Sequence, residues 1–163
     1  MVVPAENLVI PPGGGGGSDV GLALVNATMG AIFVGLAQAA FDVAIEFVRE
    51  RRQGGRLLAD HQLTRFRLFE MDRKIRCARA LARAAIVRAA TVGPDLAMSV
   101  GAKVTSTQTA FEVAHEAVQL HGGAGLTREH LPEKLLRDAR ASLIEDGSNE
   151  VLGLIVGERL VAQ

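Results

Sequence analysis

Residues 117–150 read AVQLHGGAGLTREHLPEKLLRDARASLIEDGSNE, and VLGLIVGERLV follows. Within this stretch a helix stops at a glycine cluster, and a polar helix opening on Pro132 runs into an Asp-Gly-Ser-Asn-Glu turn. An apolar helix begins beyond that turn. Proline in the first turn of a helix costs nothing, because its missing N–H would have no intrahelical partner there. Gly122 is a natural helix stop. The stretch has helix periods and helix punctuation throughout, and no alternation of period two.

Two chemically suggestive features lie in it. Asp146 falls at or just before a helix N-terminus, where free N–H groups and the helix dipole favour anions. It reads either as an N-cap or as a general base held in a pocket, with Gly147 allowing close backbone approach and Ser148 offering a hydroxyl. The His121-Gly122-Gly123-Ala124-Gly125 run reads either as a helix stop and loop or as bare amides facing a phosphate. It does not follow a strand, so it is not the dinucleotide fingerprint of a doubly wound sheet.

The rest of the chain agrees with a helical reading. Ser18-Asp19 offers cap chemistry for a first helix running to about Arg52, with Leu22, Val25, Met29, Ile32, Phe33, Leu36, Ala40, Val43 and Phe47 on its inner face. Asp60 is expected to cap a second helix, with Leu63, Phe66, Phe69, Ile75, Ala78, Ala82, Ala85 and Ile86 inward and Gly93-Pro94 at its end. A third helix is expected from about Asp95 to Leu120, a fourth from Pro132 to Ser142 and a fifth from about Glu150 to Ala162. The fold class is all-α, an up-down helical bundle over residues 18–163. Residues 1–17, MVVPAENLVIPPGGGGG, read as the end of a strand from an upstream β-domain followed by a glycine-rich linker.

Composition removes several function classes. Eighteen basic residues balance eighteen acidic ones, so nothing in the overall charge draws the chain to nucleic acid. The basic blocks around Arg49–Arg52 and Arg65–Arg79 sit at helical spacing among acids and read as a solvated or subunit-facing surface, with phosphate contact as the other reading. The single Cys77 excludes an internal disulfide and is expected as a buried thiol. The four histidines lack ligand spacing, so no metal site is expected. No apolar run is expected to reach the ~18 residues of a membrane span and no signal peptide is visible, so no membrane partner is expected and the location is taken as cytoplasmic.

Three segments taken together, EFVRERRQGGRLLADHQ (46–62), AVQLHGGAGLTREHLPEKLLRDA (117–139) and the DGSNEV turn (146–151), resemble the C-terminal helical domain of acyl-CoA dehydrogenases in order and spacing. The likeness covers nearly all of residues 19–163, and VPAENL resembles the end of that family's middle β-domain. It implies FAD as cofactor, an acyl-CoA substrate, α,β-dehydrogenation and a homo-oligomer. In the family a base in this domain removes the α-proton while the β-hydride passes to FAD. The register puts Asp146 on that base, with Glu145 as the rival, and Ser148 and Glu150 among the cofactor-binding residues.

The family's R-x-x-F-G, whose Arg reaches the pyrophosphate of a neighbouring subunit's FAD, maps onto Arg51 to Gly55. Gln119, Gly122 and Gly123 fall where the adenosine–pyrophosphate end of that FAD is held. The departures are Asp for the usual Glu, Gly54 for Phe, and Asn26 where many members carry Arg. Asp at the base also occurs in nitroalkane oxidases. A nitroalkane-oxidase-like or flavin monooxygenase relative is therefore the alternative enzyme, and a non-catalytic oligomerising bundle the alternative outside enzymes. Because the isoalloxazine needs a β-domain, the isolated chain is expected to hold FAD weakly and to be inactive alone.

Overall fold

A computed structural model describes residues 4–7 and 16–162. Five α-helices make up most of it: α1 Gly16–Glu50, α2 Gln62–Thr91, α3 Leu96–His121, α4 Pro132–Ser142 and α5 Asn149–Val161. A two-stranded antiparallel hairpin, β1 Arg52–Gln53 and β2 Arg56–Leu57, joins α1 to α2. The all-α reading stands, and the hairpin is too short for a period-two pattern to announce it.

α1 packs most extensively against α3, and α2 lies against both. A Cβ built on Gly30 would sit 3.3 Å from the Ala102 backbone, and Phe47 stacks on His121. Both helices advance in the same sense between these contacts, so α1 and α3 are parallel while α2 runs against them. The contact surfaces are built from alanine: Ala37, Ala40 and Ala44 of α1 meet Ala110, Ala114 and Ala117 of α3, with Ala78 and Ala82 of α2 in the same core. Small side chains let the helix axes approach closely. Met71, Ile75, Phe33 and Val113 fill the remaining space.

That construction explains where the expected inner faces fail. Ile75, Ala78, Ala82 and Ala85 are buried as expected, but Leu63, Phe66 and Phe69 are 62%, 60% and 58% exposed, and Ile86, Val25 and Ile32 are also exposed. An alanine seam has no room for these larger groups, which are left on the outside of α1 and α2. Cys77 is exposed rather than buried, because its neighbour Ala78 lies on the inward row with Ile75 and Ala82.

Several helix starts also differ. α1 already includes Gly16, so Ser18 and Asp19 lie within its first turns rather than before it. Asp60 closes a 3-10 turn, Leu58–Asp60, and pairs with Arg65 at 3.3 Å; His61 occupies the α2 cap position. Asp95 does cap α3, accepting from the Met98 N–H at 2.9 Å, and α4 begins at Pro132 as read. Of the expected N-terminal segment, Ala5–Asn7 forms a single 3-10 turn, while Val2–Val3, Leu8–Ile10 and Gly13–Gly15 lie outside the described residues. No charged residue lies between Asp19 and Asp42. By length and composition α1 is therefore apolar enough to cross a membrane, its most apolar eighteen residues having a mean hydropathy of 1.9, so the expectation that no apolar run reaches that length is corrected; its alanine face is taken up by α3.

Candidate functional site

The residues singled out in the sequence fall at two ends of α3. One group gathers around a cleft of about 580 Å3 where the hairpin meets the C-terminus of α3, lined by Gln53, Gly54, His61, Arg67, Gln119 and Gly122 among others. Gln119 is exposed on the last turn of α3, and its carbonyl accepts the N–H of Gly122. Gly122 ends the helix at φ 63°, in the left-handed region that favours glycine. Gly123 is exposed, with open space where a Cβ would stand. Gly125 is a packing glycine: a Cβ there would lie 2.8 Å from the Val118 carbonyl oxygen. Of the two readings of the loop, the helix stop is therefore correct for Gly122, whose N–H is spent on the Gln119 carbonyl although the residue itself lines the cleft; Gly123 follows it without being a lining residue.

Arg51 sits between α1 and β1 with an exposed side chain. Its N–H donates to Phe47 O at 2.9 Å, and its carbonyl accepts from Leu58 N–H at 2.8 Å. It is next to the cleft in sequence without being one of its lining residues. Arg67 does line the cleft and is held by Glu116 at 3.1 Å. The sequence reading placed Arg67 among surface charges, yet His61, Thr64 and Arg67 recur at three-residue spacing on one side of α2. That spacing was the available signal.

Behind the loop, His121 is buried and stacks on Phe47 with ring centroids 4.1 Å apart, and His130 meets it edge-on at 6.0 Å. Its Nδ1 lies 2.7 Å from Ala117 O, so Nδ1 carries the proton and donates. Burial pushes the His121 pKa below the ordinary value of 6.5; the backbone bond opposes this and His130 adds to it.

The second group is the turn between α4 and α5. Glu145 and Asp146 are exposed there. Asp146 has φ 50°, the one positive φ outside glycine among the described residues. The N-cap of α5 is Ser148, whose oxygen accepts from Val151 N–H at 3.3 Å, so the reading of Asp146 as the cap is overturned. Gly147, at φ 95°, has Leu152 3.2 Å from any added Cβ. Glu150 is exposed in the first turn of α5.

Beneath this turn lies a residue the sequence reading passed over. Lys103, 0% exposed in the N-terminal third of α3, donates from Nζ to Gly147 O and to Asn149 Oδ1, both at 2.9 Å. Burial lowers its pKa, while the charges of Asp146, Glu145 and Glu150 hold it up. A lone lysine among small residues in VGAKVTSTQTA was its only mark in the sequence.

From Lys103 to Gln119 along α3 is a rise of about 24 Å. The structure therefore brings Gln119 and Gly122 together with the hairpin, and Asp146 with Ser148 and Glu150, but it does not unite the two groups. Asn26 belongs to neither: it is fully buried in α1, its Nδ2 donates to Leu22 O at 2.8 Å, and its Oδ1 accepts nothing.

The sequence description of the acyl-CoA dehydrogenase C-terminal domain matches residues 21–161. The chain belongs to the acyl-CoA dehydrogenase family. A probable acyl-CoA dehydrogenase of Mycobacterium tuberculosis is 34% identical over 161 residues, which are 98% of this chain and 41% of that protein. A 3-sulfinopropanoyl-CoA desulfinase of Cupriavidus necator is also 34% identical, over 93% of this chain and 39% of its own length. Among solved structures, butyryl-CoA dehydrogenase of Megasphaera elsdenii superposes with a TM-score of 0.87 at 32% identity, covering 98% of this chain and 42% of that one. The chain thus spans about two-fifths of the acyl-CoA dehydrogenase relatives it matches.

Proposed function

We propose that this chain supplies the general base and part of the FAD site of a flavoenzyme of acyl-CoA dehydrogenase type, acting on an acyl-CoA thioester. The observation that carries the assignment of Asp146 as base is its backbone. It alone among the described non-glycine residues holds a positive φ, and it stands on the turn that the family register assigns to the base. Such conformations cost on the order of 1–2 kcal/mol and gather at functional sites. Asp and Asn tolerate this region better than longer side chains do. That gives a physical reason for Asp146 over its neighbour Glu145, despite the shorter reach.

The first cleft suits the adenosine–pyrophosphate end of a dinucleotide. Gly122 and the adjoining Gly123 leave open space where a Cβ would stand, Gln119 offers a carboxamide, Arg67 a guanidinium, and Leu58, Leu63 and Leu120 apolar walls. Arg51 stands near enough in the chain to join it. Gly54, in place of the family's Phe, leaves the hairpin side of this cleft without an aromatic ring. Bound FAD supplies the acceptor for the hydride leaving the substrate β-carbon. Asp146 would take the α-proton onto its carboxylate as the α,β double bond forms between the two carbons that lose hydrogen, and Ser148 and Glu150 would help to hold the flavin.

The separation of the two groups along α3 supports an assembly in which the cleft serves the flavin of a neighbouring copy. The exposed Leu63, Phe66 and Phe69 are apolar surface beside that cleft, of the kind that oligomer contacts cover. In this reading the isoalloxazine is housed by further domains, residues 1–17 being the tail of one, and the assembly works in the cytoplasm.

The test is flavin reduction by substrate in the flavin-loaded assembly. Asp146→Asn keeps volume and turn preference and should slow it by ~10²-fold or more, the scale of general-base catalysis, while Glu145→Gln should hardly matter. The reverse pattern would move the base to Glu145. Small losses from both would mean that the shape persists without the chemistry, as in a bundle that only oligomerises. The second enzyme reading, a relative with another reaction, is favoured by the desulfinase of equal identity and by Asp in place of Glu. Bleaching by nitroalkanes rather than acyl-CoAs would select the nitroalkane-oxidase-like form.

A further inference from the structure

We propose that Lys103 is the positioning residue of the Asp146 turn, holding the base at its left-handed backbone from inside the bundle. The inference rests on the reading of Asp146 as base. A buried ammonium costs several kcal/mol unless its hydrogen bonds are made. Lys103 is the largest of the fully buried side chains, and its bonds go to two acceptors that bracket Ser148: the carbonyl of Gly147 and the amide oxygen of Asn149.

Asn149 is fixed in turn. Its Oδ1 is taken by Lys103, so its Nδ2 donates to Thr107 Oγ1 at 2.9 Å, and the Thr107 hydroxyl donates to Val104 O at 3.1 Å. α3 thus grips the chain at the residue just after Asp146 and again at the first residue of α5. Drawing the Gly147 carbonyl inward has a second effect. In a trans peptide the N–H of the next residue points the opposite way, so the Ser148 amide is turned outward, to the side where Asp146 stands exposed. The base, the amide beside it and the start of α5 are set by one buried side chain.

A lysine kept only for stability is replaceable. Exchanging a buried charge for a well-packed apolar group of like size is often neutral or better. Lys103→Met, unbranched and of nearly equal length, separates the two roles. NMR of the isotopically labelled 163-residue chain reads Asp146 directly, since Cα and Cβ shifts report the sign of φ, and reads the turn through exchange of the Asn149 N–H, which donates to Leu143 O at 3.0 Å.

In Lys103→Met the Asp146 shifts should move to those of ordinary negative φ or an average. The Asn149 amide should exchange about ten-fold faster or more, equivalent to ~1.4 kcal/mol, while α3 amides from Ala110 to Ala117 stay protected. Thr107→Val, which frees only Asn149, should give a smaller change of the same kind. Retained positive-φ shifts, with protection lost evenly over the whole chain, would overturn the proposal. If Lys103→Met does not fold, Lys103→Gln, which keeps one donor and loses the charge, decides by the same two readings. The test needs no flavin, so it separates cleanly from the base assignment. An inert Asp146→Asn would remove the base and leave the tether, whereas unchanged shifts in Lys103→Met would remove the tether and leave the base.

Discussion

Gly147→Ala and Gly153→Ala lie six positions apart around the start of α5 and should have opposite effects. At Gly147 the backbone sits at φ 95°, and an added Cβ would come within 3.2 Å of Leu152, which is 2% exposed. A non-glycine residue in this region costs roughly 1–2 kcal/mol. Crowding a buried leucine costs roughly 1–3 more, and the stiffer unfolded chain returns about 0.4–1. The net loss is about 1–4.6 kcal/mol, and for a domain of this size each kcal/mol moves Tm by about 2–4 °C, a fall of roughly 2–18 °C. Gly153 is within α5 with nothing within 4 Å of its would-be Cβ. Alanine there gains about 1 kcal/mol of helix propensity, a rise of roughly 2–4 °C. Thermal unfolding by circular dichroism at one protein concentration reads both. A Gly147→Ala chain melting with the parent would refute the claim that the Asp146 turn is held to this geometry by its packing on α5.

Four further outcomes are expected. Asp146→Asn should cut flavin reduction by ~10²-fold or more with an unchanged melt, as set out above. Met71→Ala empties a site 1% exposed in the alanine core and should cost about 2–5 kcal/mol by denaturant titration. Because the folded pKa of His121 is depressed below 6.5, the unfolded chain takes the proton first. Its stabilising contribution is therefore complete above 6.5 and is lost as pH falls through the lower folded value; His121→Phe, which keeps the stack on Phe47, should show a flatter fall of Tm in that window. Phe66→Asp should shift light scattering from an oligomer toward the monomer at tens of micromolar without lowering helicity, and an unshifted mass would clear this face of any part in assembly.

How much of this was legible depends on what kind of signal each feature leaves. α3 and α4 were readable because Asp95 and Pro132 act through their own backbone neighbourhood, and such effects stay local. The inner faces of α1 and α2 were half misread, because hydrophobicity alone ranks Phe66 above Ala78. Burial here is decided by how closely helices approach, and alanine wins that contest. The cleft gathered Gln119 and Gly122 as the resemblance implied, but Arg67 needed the hairpin to turn α2 toward them. The alternative role of Asp146 as a cap was misread, since the choice of cap between Asp146 and Ser148 turns on local backbone geometry. Lys103 was invisible because a single lysine in a helix is nearly always solvated, and its partners lie more than forty positions away.

The close parallel contact of α1 and α3 makes the latter a ruler. Each residue along it advances the axis by 1.5 Å and turns it by about 100°, and the helices lie so close that a Cβ added to Gly30 would come within 3.3 Å of the Ala102 backbone, which leaves little slack for twisting. One residue inserted between Lys103 and Gln119 would lengthen the gap between the two half-sites only slightly. It would also swing one of them more than a quarter-turn about the helix, unseating either the turn or the cleft. Insertions are therefore excluded from α3 between Lys103 and Gln119, where the sequence is free to vary only in kind.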